Sequence, residues 1–333
     1  MANAQLATSA RPARAGQPGA AKIRLAFLII GLAALIAAPY LFYPIFVMKI
    51  LCFALFASAF NLLLGYTGLL SFGHAAFFGG AAYITAHACK VWGFPPELGV
   101  LLGVVFAAFL GLIMGAVAIR RQGIYFAMIT LALSQMFFFF CLQANFTHGE
   151  DGIQSVPRGM LFGIFDLSQT MTMYFFVLGA FLIGIFAIWR IVNSPFGMIL
   201  KAIRENENRA ISLGYSVARY KLAAFVMSAA LAGLAGSVKA LVFQFATLTD
   251  VAWQMSGEVI LMTLLGGIAT LLGPIVGAGL VVTLQNYLAT SDFPVTIVTG
   301  VVFMLCVLLF RRGLVGEFYA SRLGRWLGFR AEN

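Results

Sequence analysis

Long apolar runs fill most of this chain, and they are continuous rather than alternating with polar residues. Runs of about 20 apolar residues predict membrane-spanning helices, because a hydrocarbon core roughly 30 Å thick must be crossed with every backbone polar group satisfied. We predict ten spans, of which the third and the eighth are short. They cover residues 25–42, 46–64, 74–89, 98–119, 124–142, 173–191, 222–243, 256–265, 274–288 and 295–310.

Glycine interrupts two of these apolar regions, LLLGYTGLLSFGHAAFFGGAAY at 62–83 and LLGGIATLLGPIVGAGL at 264–280. Each pattern predicts a broken helix, and unwound backbone at membrane depth is tolerated where it lines a cavity such as a substrate pathway. Close helix packing through small residues is the alternative, and it is the better explanation of any single glycine. The candidate pathway residues are Gly68, Ser71, Gly73 and His74 in the first region, and Gly266, Gly267, Gly273 and Pro274 in the second.

Polar residues in other spans are further pathway candidates. Thr130 and Ser134 lie four residues apart in the fifth span, on roughly one helix face. Interhelical hydrogen bonding explains them at least as well as substrate contact does. Glu258 opens the eighth span, and an ionisable group inside a membrane is a functional candidate. The alternative for Glu258 is an acid at the N-terminus of a helix at the outer interface, where the helix dipole favours it.

The composition indicates a polytopic membrane protein. Of the 333 residues, 62% are hydrophobic and 10% are charged, with a mean hydropathy of +0.98, whereas soluble domains are about 25% charged. We therefore predict an all-α bundle forming one membrane domain. The four cysteines stand singly in or beside apolar spans, without a CxxC pair, and are expected to be buried small hydrophobes.

The distribution of Lys and Arg predicts the orientation of the spans. With ten spans both termini share a side, and seventeen of the 21 basic residues fall on it. The four exceptions are Lys90 and Arg158 in opposite loops, and Lys49 and Lys239 near outer span ends, from which a long side chain can snorkel to water. Basic residues are enriched in cytoplasmic loops, so both termini are predicted to be cytoplasmic. The net charge of +10 thus reflects membrane topology, and we expect no binding to nucleic acid.

The chain divides into a membrane domain with short tails. Residues 1–23 lack apolar periodicity and are expected to form a disordered cytoplasmic tail, with a signal peptide as the alternative. Residues 24–312 form the membrane domain, and residues 313–333 a cytoplasmic C-terminal tail.

Enzymatic motifs do not stand out in the sequence. No GxxxxGK[ST] phosphate loop occurs, and the three histidines form no HxxxH or HExxH pattern. We expect no catalytic, cofactor or metal site, which leaves a transporter or channel. An ion-coupled secondary carrier usually holds acids near the middle of the membrane, and the deep spans have almost none. A structural scaffold is disfavoured by the paired helix breaks.

The longest polar stretch covers residues 192–221, between two apolar halves of the chain. Within it, GMILKAIRENENRAISLGYS at 197–216 mixes charges with apolar residues at helical spacing. The apolar positions are Met198, Ile199, Ile203, Ala210, Ile211 and Leu213. This pattern predicts a short amphipathic helix or a helix pair. A solvated loop lying on the lipid headgroups is the alternative.

Five sequence blocks, in order, resemble one family. They are NLLLGYTGLLSFGHAAFFGGAAY, RRQGIYFAMITLALSQM, THGEDGIQSVP, SPFGMILKAIRENENRAISLGYSVARYKLAAFVMSAALAGLAGSVKA and SGEVILMTLLGGIATLLGPIVGAGL. Together they resemble the M-type membrane subunits of branched-chain amino acid ABC importers, over roughly residues 45–315. The resemblance is less specific for substrate, because importers of urea, short-chain amides and other amino acids use similar permeases.

This resemblance implies a permease in the bacterial inner (plasma) membrane, surrounded by lipid and working with several partners. A periplasmic or extracellular binding protein would deliver a hydrophobic amino acid, a homologous second permease would complete the pore, and two cytoplasmic ATPase subunits would use ATP. The stretch 192–221 is similar to the helix that couples such permeases to their ATPases. The coupling candidates are Ala202, Glu205, Glu207, Ala210 and Gly214. The match to the general EAA…G loop is loose, because its Glu falls one position too far upstream.

Overall fold

The computed structural model describes residues 31–289 and 313–320, together with isolated positions between 297 and 308. The predicted tail at 1–23, most of the tenth span and residues 321–333 lie outside this part of the chain. Within it the chain is mostly helical. The helices are α1 Gly31–Leu41, α2 Pro44–Thr67, α3 His74–Lys90, α4 Pro96–Ala118, α5 Ile124–Gln143, α6 Thr170–Val192, α7 Pro195–Glu205, α8 Glu207–Ser212, α9 Val217–Phe243, α10 Trp253–Gly266, α11 Gly273–Leu288 and α12 Gly313–Ala320.

Five of these helices, α2, α4, α5, α6 and α9, are long and apolar enough to cross a membrane. Their ends lie within five residues of the predicted spans. Helices α3, α10 and α11 have 17, 14 and 16 residues, so at 1.5 Å per residue they measure about 26, 21 and 24 Å. None of these three helices is long enough to cross a hydrocarbon core about 30 Å thick perpendicular to the membrane plane. The count of ten spans stays a prediction.

Among the helices that are long enough to cross a membrane, α2 and α9 are the most buried. Their apolar stretches are 83% and 72% buried, against 28% to 33% for α4, α5 and α6. Small residues allow the helices to approach closely: a side chain at Gly236 of α9 would collide with the Phe78 carbonyl of α3. The three cysteines in the described part, Cys52, Cys89 and Cys141, are buried free thiols, as predicted.

The polar connections collect at the two ends of α9, which lie about 40 Å apart. Beside its N-terminus are α7 and α8. Beside its C-terminus lies the segment between α5 and α6, which contains 3-10 turns at Asn145–Thr147 and Gly149–Asp151 and an antiparallel hairpin of β1 Met160–Leu161 and β2 Phe165–Asp166. Arg158 ties this segment to α9 by donating to the carbonyls of Leu241 and Val242 at 3.3 and 2.7 Å.

A buried ion pair corrects the prediction for Lys239. This side chain does not snorkel from an outer span end: Lys239 is 5% exposed, and its Nζ lies 2.6 Å from Oδ2 of Asp250, which is 3% exposed. Asp250 also caps the 3-10 turn Leu248–Asp250 by accepting from the Thr247 backbone N–H at 3.3 Å. The Phe245 ring lies 4.4 Å from Nζ. The ion pair thus holds the connection that precedes α10 against α9. The Lys239 ammonium is neutralised by the Asp250 carboxylate instead of being solvated by water.

The Asp250 carboxylate is testable by substitution. Asp250→Ala leaves the Lys239 ammonium buried without its partner, which typically costs about 3–5 kcal/mol. We expect a clear fall in the temperature at which the purified protein loses its monodisperse peak in detergent. The exposed Asp151, changed to Ala, is the matched control. The double variant Lys239→Met/Asp250→Leu should recover most of the loss, and an unchanged transition in Asp250→Ala would contradict a stabilising role for the pair.

Candidate substrate pathway and coupling site

The first glycine-rich region is a helix break inside the bundle. Helix α2 ends at Thr67, and Gly68 caps it in the left-handed region with φ +75°. Residues 69–73 have no regular secondary structure, and α3 begins at His74. Gly68 is exposed, whereas Ser71, Gly73 and His74 are buried. The predicted break is therefore confirmed, and most of it lies within the packed core.

Side chains from three elements satisfy the backbone of this break. Oγ1 of Thr130 on α5 accepts from the Phe72 N–H at 3.1 Å, and Oγ of Ser71 accepts from the Gly73 N–H at 3.1 Å. Oγ of Ser256 on α10 donates to the Phe72 carbonyl at 2.8 Å and accepts from the Ala75 N–H at 2.9 Å. Backbone groups away from water need such partners, so Ser71 and Thr130 have a structural role at the break.

His74 forms a polar link between three helices. Its Nε2 lies 2.9 Å from Oγ of Ser228 on α9, and that hydroxyl donates to the Ala59 carbonyl of α2 at 2.6 Å. Because the single hydroxyl proton is used there, Nε2 of His74 is the donor in the first bond. The Phe60 and Phe77 rings pack edge-on against the imidazole. His74 thus pins the start of α3 to α2 and α9.

Ser134 lies one turn beyond Thr130 on α5. It is 1% exposed, and its hydroxyl has no hydrogen-bond partner among the described residues. Of the two predicted polar residues on this helix, Thr130 alone therefore forms a side-chain hydrogen bond to the break among the described residues.

The second glycine-rich region is also a break. Helix α10 ends at Gly266, Gly267 follows with φ +123°, and α11 begins at Gly273 with Pro274 in its first turn. The glycines are needed for close approach: a side chain at Gly266 would collide with the Gly273 carbonyl, and one at Gly277 with the Met262 carbonyl. Packing therefore explains these single glycines, as one of the two interpretations predicted.

Asn61 of α2 holds the second break in place, and the sequence reading missed it. Its Oδ1 accepts from the Ala269 N–H at 3.0 Å, and its Nδ2 donates to the Thr270 carbonyl at 2.9 Å. Thr270 Oγ1 in turn donates to the Gly267 carbonyl at 2.8 Å. Asn61 is 2% exposed in an otherwise apolar helix. An amide side chain in an otherwise apolar span indicates interhelical hydrogen bonding. The sequence alone could therefore have identified Asn61.

Glu258 lies on the face of α10 opposite Ser256, since two residues turn a helix by about 200°. It is half-buried, and its carboxylate lies close enough to the side chains of Gln285 of α11 and Lys49 of α2 to be influenced by both. The interpretation of Glu258 as a first-turn acid is wrong. Helix α10 begins at Trp253, three residues before the predicted start, and its first turn contains no acid.

The polar stretch forms a pair of short helices, as predicted. Ser194 caps α7 by accepting from the Gly197 N–H at 3.4 Å, and Asn206 caps α8 by accepting from the Arg209 N–H at 3.0 Å. Both are side-chain types that favour helix N-termini. After α8 the chain turns at Gly214, with φ +87°.

The apolar residues of the helix pair point in two directions, which corrects the expectation of one shared apolar face. Ile203 and Ala210 are buried together with Val217 of α9, so Ala210 does not present its side chain to a partner. The exposed apolar residues are Met198, Ile211 and Leu213. Among the other coupling candidates, Ala202 and Glu205 are exposed, whereas Glu207 pairs with Lys221 at 2.6 Å and anchors α8 to α9.

Arg204 connects the helix pair to both breaks. Its Nη1 donates to the carbonyl of Gly65, near the end of α2, and its aliphatic stem lies against Gly68. Gly65 in turn lies against the Ala269 backbone of the second break. One turn away on α7, Nζ of Lys201 lies 5.6 Å from the centre of the Tyr66 ring. Helix α7 is therefore attached to α2 at the point where the two breaks approach each other.

Comparisons with known proteins agree with the sequence resemblance. A family model described as branched-chain amino acid transport system, permease component, matches residues 42–310. The high-affinity branched-chain amino acid transport system permease proteins LivM of Escherichia coli (strain K12) and Salmonella typhimurium (strain LT2) are each 26% identical to this chain. Each match covers 74% of this chain and 64% of the relative.

A third relative has a different name. The ribose import permease protein RbsC of Bacillus subtilis (strain 168) is 28% identical over 170 residues, 48% of this chain and 50% of that protein. The chain thus spans less than two-thirds of the length of these three relatives. No solved structure matches the chain significantly. Because the family match includes both breaks and the helix pair, and extends over most of the sequence, the chain belongs to the family of permease components of branched-chain amino acid transport systems.

Proposed function

We propose that this chain is one permease subunit of a bacterial ABC importer, in the inner (plasma) membrane, and that it forms part of the pathway for branched-chain or other hydrophobic amino acids. The observation that carries the proposal is the family match over residues 42–310. Two relatives named for branched-chain amino acid transport support it. In this function the chain performs no reaction of its own and needs no bound cofactor.

The proposed partners occupy the two ends of the bundle. A substrate-binding protein docks on the side of the Met160–Asp166 hairpin, and two ATPase subunits bind on the side of α7 and α8. A homologous second permease lies beside this one in the membrane. The exposed apolar residues Met198, Ile211 and Leu213 supply this chain's docking surface for an ATPase. Arg204 then links that surface to the end of α2.

Two alternatives remain distinct from this proposal. A permease of the same family for urea or short amides would share the fold, and the likeness to a protein named for ribose import makes the substrate a separate question. An ion-coupled carrier would need a buried acid that exchanges a proton or sodium ion. Asp250, the fully buried acid among the described residues, is already paired with Lys239 at 2.6 Å and is not free for such an exchange.

Reconstitution tests the proposed function directly. We expect proteoliposomes holding this chain, its companion permease and the ATPases to accumulate radiolabelled L-leucine only with both ATP and the binding protein. Urea in place of leucine is the comparison. ATP-independent uptake driven by a proton or sodium gradient would favour the carrier, and uptake of urea alone would favour the amide permease.

Orientation is tested by cysteine labelling. Asn208 in α8 and Gln154 beside the hairpin are both exposed and lie near opposite ends of α9. We expect Asn208→Cys to react with an impermeant thiol reagent only after cells are opened, and Gln154→Cys to react in intact cells, because basic loops face the cytoplasm. The reverse pattern would overturn the proposed orientation.

Docking of the ATPase is tested on the exposed apolar surface. Ile211→Glu and Leu213→Glu place a charge where the partner would bury it, which typically costs several kcal/mol, so we expect at least tenfold weaker co-purification of the ATPase. Asn208→Glu, an exposed polar position on the same helix, is the matched control and should stay within about 0.5 kcal/mol. Equal co-purification of all three variants would show that this surface does not dock.

A further inference from the structure

The exposed surfaces of α4 and α6 have the character expected for contact with lipid. From Leu98 to Val117 on α4, and from Met171 to Trp189 on α6, every exposed side chain is apolar. Without water in the hydrocarbon core, a polar group on such a surface would be costly. Another face of the bundle differs from these two helices because it exposes polar side chains.

That other face is formed where α2, α10 and α11 meet, and it carries polar groups. Lys49 of α2, Glu258 of α10 and Gln285 of α11 are half-buried, and Gln254 is exposed one turn from Glu258. Gly257 beside them has open space where a side chain would extend. Ionisable groups inside spans typically face a partner or a water-filled path rather than lipid.

The charges on this face are not neutralised by direct contact. Lys239 and Asp250, close by in the core, form an ion pair at 2.6 Å. Lys49 and Glu258 interact electrostatically, but among the described residues they form no such short ion pair with each other. Gln285 is half-buried on the same face, close enough to influence Glu258. One cation and one anion thus share a face, separated by more than a direct contact.

We propose that this face, called here the head-group subsite (Lys49, Glu258 and Gln285), binds the charged head group of a zwitterionic α-amino acid during its passage. The ammonium of Lys49 contacts the substrate carboxylate, and the carboxylate of Glu258 contacts the substrate ammonium. Gln285 holds Glu258 in position. This inference rests on the proposed function, because it takes an amino acid as the transported solute.

The chemistry of the solute explains why both charges are needed. An α-amino acid carries a carboxylate and an ammonium on adjacent positions, and neither can enter an apolar environment unpaired without a large desolvation cost. A cation and an anion on neighbouring helices replace water for both groups at once. Because the head group is common to all α-amino acids, the subsite selects the class and leaves the side chain to other contacts.

Single substitutions test the subsite in the assembled importer. We expect Lys49→Met and Glu258→Gln each to lower uptake of radiolabelled L-leucine at least tenfold. ATP hydrolysis stimulated by the leucine-loaded binding protein should stay within twofold of the unchanged complex, since docking and coupling lie elsewhere. Arg121→Met, at an exposed position in the turn between α4 and α5, is the matched control and should leave both readouts unchanged.

Exchanging the charges of Lys49 and Glu258 distinguishes a role in substrate binding from a role in helix packing. In Lys49→Glu/Glu258→Lys the zwitterion can bind in the opposite orientation, so we expect uptake at least threefold above that of either single variant. Uptake within twofold of the unchanged complex in both single variants would overturn the subsite. So would a parallel fall of uptake and ATP hydrolysis, or an exchange variant no better than the single ones. Variants that fail to assemble, with no recovery in the exchanged chain, would likewise assign these charges to packing.

The same assay distinguishes the failure of this inference from failure of the proposed function. If the unchanged complex takes up no L-leucine with ATP and binding protein, the proposed function fails and the subsite with it. If the unchanged complex transports leucine while the variants do so equally well, only the subsite is wrong.

Discussion

Broken helices at membrane depth must find hydrogen-bond partners for their backbone, and this requirement organises the bundle. Water satisfies such groups in a soluble loop, whereas hydrocarbon does not. Here the first break receives its partners from Thr130 and Ser256, and the second from Asn61. Each partner comes from a different helix. The unwound segments therefore help to fix the relative positions of α2, α5 and α10.

Helix α10 connects the two breaks, and this makes it the element through which they can move together. Ser256 near its start bonds to the first break, and Gly266 at its end opens the second. Arg204 attaches α7 to Gly65, which lies against the second break. Helix α7 is thus joined to both breaks through direct contacts, so a displacement of α7 would act on both of them.

Local features of this fold were predictable from sequence, and long-range pairings were not. Apolar run length placed the long helices, glycine spacing placed both breaks, and mixed polarity indicated the helix pair. The Lys239–Asp250 pair was missed because Asp250 lies in a connection that looks like an ordinary polar loop. Ala210 was grouped with Ile211 and Leu213 for a similar reason: helical spacing gathers apolar residues, but only the position of Val217 shows which of them are covered.

The burial of the candidate pathway residues restricts the route that a transported solute can take. Ser71, His74 and Thr130 are fully buried, with their side chains bonded within the chain, so a path through the first break would require those bonds to open. Glu258, by contrast, lies on a half-exposed face. A solute that follows this face leaves the bonds of the break intact, provided that a second subunit covers the other side. In the proposed importer, the packing of this chain therefore favours a pathway between two permeases over one through its own core.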